Sequence, residues 1–157
     1  MLSRPLLALT GILSAAGALW AADWPQFLGP ERNGSTPEVI GVSWPADGPP
    51  RRWRLDAGAG FAGPVVAEGR AVLFHRIGSD DVLTVVDANS GAQIWEQRQA
   101  TTFVDEMGSG DGPRGTPAIS GGRVFALGAD GRLSCHSMAD GRRIWSVSTR
   151  DSLHADM

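Results

Sequence analysis

Residues 63–100 read GPVVAEGRAVLFHRIGSDDVLTVVDANSGAQIWEQRQA, and residues 115–151 read GTPAISGGRVFALGADGRLSCHSMADGRRIWSVSTRD. Aligned on Gly91 with Gly141 and on Trp95 with Trp145, the two stretches are copies set 50 residues apart, 91 to 141 and 95 to 145. A period of this length marks architectures in which one small unit stacks on the next.

Each copy divides into four short apolar runs. In the first, Pro64–Glu68 is apolar and short, Ala71–Arg76 is a continuous apolar run, Val82–Asp87 is β-branched, and Gln93–Gln97 follows the turn Asn89-Ser90-Gly91. The second repeats this as Pro117–Ser120, Arg123–Leu127, Arg132–Ser137 and Arg143–Val147. Its joints are Gly121-Gly122, Ala129-Asp130-Gly131 and Asp140-Gly141. Four antiparallel strands in roughly 40 to 50 residues make a propeller blade. The expected fold is all-β, a partial β-propeller of two four-stranded blades. A blade must bury its faces on neighbouring blades, so repetition is a thermodynamic requirement of the fold.

The segment Asp87-Ala88-Asn89-Ser90-Gly91-Ala92-Gln93-Ile94-Trp95 resembles the tryptophan-docking motif of pyrroloquinoline quinone (PQQ) type propeller repeats, an Asp, a Gly four residues on and a Trp four further on. The second copy keeps Gly141 and Trp145 but has Ser137 in place of the Asp. The resemblance implies that each Trp lies against the next blade. A flat indole buries a large area between sheets, and Gly accepts the positive φ of the turn. The PQQ-like family embraces quinoprotein dehydrogenases and cofactor-free propellers, and fold resemblance does not choose between them.

At the start of the chain, Arg4 is the one charge in residues 1–22 and the apolar run Pro5–Ala22 follows it, which describes a secretory signal peptide. Trp20 or Leu19 at the third position before a cut is atypical, which leaves an uncleaved anchor as the alternative. No Cys follows the run, so a lipoprotein anchor is not expected. The reading is export to the periplasm or beyond, with membrane contact only through this segment. Loss of Arg4 takes the net charge from −3 to −4, and without a basic patch nucleic-acid binding has no electrostatic support. The lone Cys135 makes no internal disulfide and reads as a buried strand thiol.

Asp23–Ser35, DWPQFLGPERNGS, resembles the opening of mature proteins in a large bacterial group of PQQ-like propellers, with Leu28 where Arg is more frequent. Its prolines and glycines forbid a regular element, whereas Trp24 and Phe27 call for burial, so residues 23–50 are expected to form an arm on the propeller followed by a linker. Asn33-Gly34-Ser35 is a formal glycosylation sequon and reads as a plain turn. Residues 51–56 place Trp53 where the copies have Trp95 and Trp145, and are expected to be the ring-closing outer strand of a final blade. A ring of seven or eight blades needs roughly 300 to 400 residues. Two blades and one orphan strand therefore suggest a fragment, with residues 152–157 as a truncated connection.

Chemistry is expected on the face that carries the inter-blade loop 101–114 (Thr101–Gly115 reads TTFVDEMGSGDGPRG), Gly78–Asp81 and Ala129–Gly131. The stretch Gly108–Arg114 is similar to a Gly-Asp-Gly-Pro-Arg stretch that recurs there in the same PQQ-like group. Asp105, Glu106 and Asp111 could bind calcium or be a solvated acidic loop, and Arg114 could clamp an anionic ligand or pair with Asp111. His75, His136 and His154 have no metal-ligand spacing and read as strand or surface residues. The resemblance makes PQQ and calcium conceivable cofactors. It also requires a pair of adjacent cysteines capping the quinone, and Cys135 has only Ser134 and His136 beside it. No catalytic residue is assigned. The leading expectation is an exported, non-catalytic propeller that binds a protein or a glycan through its loop face. The alternative is a PQQ- and calcium-dependent quinoprotein alcohol dehydrogenase, and a third reading is a propeller hydrolase or lyase.

Overall fold

The computed structural model describes residues 22–39 and 43–153; the expected signal segment lies almost wholly outside the described residues, as does His154. Among the described residues eight strands form two antiparallel sheets, with no strand exchanged between them. The first sheet has the order β1 (Val65–Ala67), β2 (Arg70–Ile77), β3 (Asp80–Asp87), β4 (Gln93–Ala100), and the second β5 (Ala118–Ser120), β6 (Arg123–Leu127), β7 (Arg132–Ser137), β8 (Arg143–Ser148). The fold is therefore all-β, and each expected apolar run lies on a strand.

Both sheets break register at the same place. Val85 faces Trp95 but Val86 faces Gln93, and Cys135 faces Trp145 but His136 faces Arg143. Ile94 and Ile144 are the extra residues of these bulges, which increase the local twist just before each indole. The strand pleat sends alternate residues to opposite faces. On one face of the first sheet Val65, Ala67, Val72, Phe74, Leu83, Val85 and Trp95 meet Ile119, Val124, Ala126 and Met138 of the second in one buried cluster. Each such aliphatic or aromatic side chain stabilises the pair of sheets by about 1.5–3 kcal/mol.

The segments outside the sheets cover strand edges. Trp24 exchanges backbone hydrogen bonds with Val66 at 2.7 and 2.9 Å, and the Pro25 carbonyl accepts the Ile119 N–H at 2.8 Å, so the arm spans β1 and β5. β1 pairs with only Arg70–Val72 of β2. The far end of β2 is thus left open, and Ala59 takes it, exchanging hydrogen bonds with Arg76 at 3.0 and 2.6 Å.

Residues 51–56, expected to complete a final blade whose other strands are absent from the described residues, form no ladder here, and Trp53 is held on Ala88. One local expectation, the burial of Trp24 and Phe27, is corrected. Phe27 is exposed and Trp24 only half-buried, since Trp24 folds back on Gly29 within the arm and leaves Phe27 at its outer bend. Trp44, in the linker, is also exposed. After β8 the chain turns into the short helix α1 (Thr149–Leu153), anchored where the Thr149 N–H and hydroxyl both donate to the Gly131 carbonyl, at 2.8 and 2.7 Å. Among the described residues no helix is long and apolar enough to cross a membrane.

Candidate functional site

The contact between the sheets is set by one indole and one glycine. Trp95 Nε1–H donates to the Met138 carbonyl at 2.9 Å, and its ring lies so close over Gly141 that a Cβ there would stand 2.7 Å from it. Gly141 has φ 74°, where L side chains are strained, so both the turn and the approach require glycine. Trp53 repeats this on the first sheet, with Nε1–H donating to the Ala88 carbonyl at 2.9 Å and Gly91 beneath the ring at the same 2.7 Å. Ala88 and Met138, like Gly91 and Gly141, are offset by the repeat. Trp145 has no sheet beyond it among the described residues, and 40% of it is exposed against 7% of Trp95. It touches Phe125, with ring centroids 6.1 Å apart.

The turns that present these glycines are tied by carboxylates. Asp87 Oδ1 accepts the N–H of Asn89 and both the N–H and hydroxyl of Ser90, at 2.8–3.0 Å. Hydrogen bonds from Ser90 hold the carboxyl below its usual range. In the second sheet Ser137 stands in the Asp position, and Asp140 supplies the missing charge: its carboxyl is lowered first by the Ser137 hydroxyl and then by the Arg142 N–H.

In the 101–115 loop three of the four candidate residues, Asp105, Asp111 and Arg114, converge, but on one another, and Glu106 stands apart and exposed. Asp105 Oδ2 accepts the N–H groups of Ser109 and Gly110 and lies 3.2 Å from Arg114 Nη2. Its own N–H donates to Asp111 Oδ1 at 2.7 Å. Arg114 therefore pairs with Asp105 rather than Asp111, because Asp111 is already used in closing the loop. The guanidinium also lies against Phe61 and Phe103, 5.4 and 5.6 Å from the ring centroids. Burial pushes the Asp105 carboxyl upward, but the N–H groups of Ser109, Met107 and Gly110 and the Arg114 charge outweigh it and hold it low. Asp105 is the one charge of the loop drawn inward, while Glu106, Asp111 and Arg114 stay at the surface beside Val104 and Met107, 65% and 91% exposed. Among the described residues no three His, Cys, Asp or Glu side chains are grouped to hold a metal ion.

A family model described as outer membrane protein assembly factor BamB matches residues 38–155. The chain belongs to the PQQ-like β-propeller repeat family. A curated relative, outer membrane protein assembly factor BamB of Moranella endobia (strain PCIT), is 33% identical over 89 residues, which are 55% of this chain and 22% of that protein. The chain thus spans about a fifth of that relative's length, those same 22%. Among solved structures it is similar to BamB from Moraxella catarrhalis (23% identity, TM-score 0.44, 61% of this chain, 26% of that chain). It is also similar to the quinohemoprotein alcohol dehydrogenase ADHIIG from Pseudomonas putida HK5 (28% identity, TM-score 0.43, 62% of this chain, 14% of that chain).

Within this PQQ-like unit, buried polar groups lie where the sequence showed no motif. Arg76 Nε and Asp81 Oδ1 form a 2.7 Å ion pair, both side chains more than nine-tenths buried, and Arg76 Nη1 reaches the Phe103 carbonyl at 3.4 Å. Gly128 fits between Asp81 and Asp130, whose carboxylate oxygens would stand 3.0 and 2.7 Å from a Cβ there. Burial raises the Asp81 carboxyl, Arg76 lowers it and Asp130 raises it. An Arg on one strand and an Asp on the next are ordinary surface residues by composition; the hairpin register Arg76↔Asp81 was the one signal that could have paired them. Cys135 is a free, fully buried strand thiol.

Proposed function

We propose that this chain is part of an exported PQQ-like β-propeller that performs no chemistry of its own and holds a protein partner against the face formed by residues 101–115. The observation that carries this reading is the exposure of Val104 and Met107 on a loop whose Asp105, Asp111 and Arg114 are engaged with one another. Those three residues shape the loop, and the large apolar side chains Val104 and Met107, with Phe61 at the base, are left outward beside the exposed Glu106. A preformed loop with an apolar tip suits a protein surface better than a glycan, whose hydroxyls need free polar groups. Export is supported by Arg4 and the apolar run after it, and by a relative named for outer membrane protein assembly. The indole seats on Gly91 and Gly141 serve as blade-to-blade docking contacts, and Trp145 would seat on a further blade.

The residues present do not fit a quinone site. Cys135 is enclosed in β7 with no second cysteine, and two carboxylates of the long loop, Asp105 and Asp111, already accept N–H groups. Envelope proteins captured on the full chain, with and without the paired change Val104→Asp and Met107→Asp, test the proposal. A captured set that survives the paired change, or dye-coupled alcohol oxidation after addition of PQQ and calcium, would overturn it.

A further inference from the structure

His75 is buried, 5% exposed, and both nitrogens of its ring are engaged. The Gly58 N–H donates to Nδ1 at 2.9 Å, and Nε2 lies 3.0 Å from Thr84 Oγ1. A backbone N–H can only donate, so Nδ1 bears no proton and the neutral ring carries its hydrogen on Nε2. That hydrogen goes to Thr84, whose hydroxyl in turn donates to Glu96 Oε2 at 3.4 Å. The chain of donors therefore runs one way, from Gly58 through His75 and Thr84 to Glu96.

Space enforces the same contact. A Cβ on Gly58 would stand 1.9 Å from the Arg76 carbonyl oxygen and 3.1 Å from Nδ1, so only glycine lets the arm lie this close. The arm continues into the Ala59–Arg76 hydrogen bonds and then to Phe61 and Ala62, whose N–H groups donate to the Pro113 carbonyl at 2.8 and 3.2 Å. In the other direction it leads back to Trp53 on Gly91.

We infer that His75 is a proton-operated latch for residues 57–62. A second proton on the ring puts Nδ1–H against the Gly58 N–H, two donors then face each other, and the arm loses its hold on β2. Release loosens one wall of the cavity of about 1110 Å³ that residues 51–55 form with Val66, Ala71 and Leu73. The charged groups that act on the ring are Glu96, which favours the added proton, and Arg98, which opposes it, both on β4. Thr84 of β3 is neutral; Arg76 and Asp81 neutralise each other on the opposite face, and Asp56 of the arm is tied to Arg54. Burial is the largest influence and lowers the ring's affinity for a proton. The folded ring thus binds a proton less readily than the free side chain, so the latch is at full strength above about pH 6.5 and weakens as the pH falls below it. His136 differs. Its Nδ1 lies 3.1 Å from the Gly141 carbonyl, which can only accept, so an added proton goes to Nε2 and leaves that bond intact.

Amide hydrogen exchange on the full chain between pH 7 and pH 5, corrected for intrinsic rates, tests the latch. The Gly58 and Ala59 amides should open more often as the pH falls, by up to about tenfold per pH unit, while Val85 in β3 does not. In His75→Gln, which can accept the same hydrogen bond but does not titrate, the dependence should vanish. Constant protection of Gly58 and Ala59 in the unsubstituted chain, or an equal response in H75Q, overturns the inference. Independently of any variant, nitrogen NMR of the imidazole should show the Nε2–H tautomer at pH 7, and the Nδ1–H tautomer would overturn it.

Discussion

Trp95 and Gly141 meet so closely that no side chain fits between them, a Cβ at 141 standing 2.7 Å from the indole. The indole also donates to the Met138 carbonyl, which receives the Arg70 guanidinium as well, so the turn, the ring and β2 are fastened at one point. Gly141→Ala is expected to destabilise the chain by about 1–3 kcal/mol through the positive φ alone, and by more as the ring is displaced. Trp95→Ala is expected to cost about 3–5 kcal/mol. Urea denaturation followed by circular dichroism measures both, and a G141A midpoint equal to that of the unsubstituted chain would contradict this account.

The buried pair Arg76–Asp81 predicts an asymmetry. Removing one partner leaves a buried charge uncompensated, so Asp81→Ala should cost about 3–5 kcal/mol. Replacing both with leucine should cost much less, because no charge is then stranded between the sheets. Comparable losses in the single and double variants would show that the two residues act separately.

Acid should loosen the turns beneath the indoles. Hydrogen bonds from Ser90 lower the Asp87 carboxyl, and those from Ser137 and Arg142 lower Asp140. A carboxylate whose folded pKa is depressed contributes stability above its unfolded value of about 4, and that contribution is lost as the pH falls through the folded value. Asp87→Asn should therefore lower stability at pH 7 and show a shallower decline toward pH 3. Unfolding midpoints across that range decide it; parallel curves for D87N and the unsubstituted chain would dissociate Asp87 from the acid response.

Loop order should depend on Asp105 more than global stability does. Asp105→Ala frees the Ser109 and Gly110 N–H groups and strands Arg114 between Phe61 and Phe103. Limited proteolysis should then cut between residues 101 and 115 several-fold faster, while the unfolding midpoint stays nearly unchanged because the loop lies outside the buried cluster. Unchanged cleavage in D105A would show that the loop is shaped by its neighbours instead.

The strands and their turns were legible because their causes are local. Short apolar and β-branched runs bounded by turn residues, and glycines at fixed distances from tryptophans, act over a few residues and survive any arrangement of the rest. The Ser137 departure was also visible, though not its remedy, since Asp140 compensates through a turn geometry that the residue type alone does not show. Residues 51–56 have a strand's pattern and no partner among the described residues, and a ladder cannot be built from one side.

From the chain of residues alone came the repeat, the eight strand positions and the indole placed four residues after each turn glycine. Only the tertiary structure decided that Arg114 takes Asp105, that Arg76 is buried with Asp81, and that His75 receives Gly58. These are single contacts whose partners are chosen by the twist and stacking of the sheets and by which edges are left open, and short-range pattern carries no information about either.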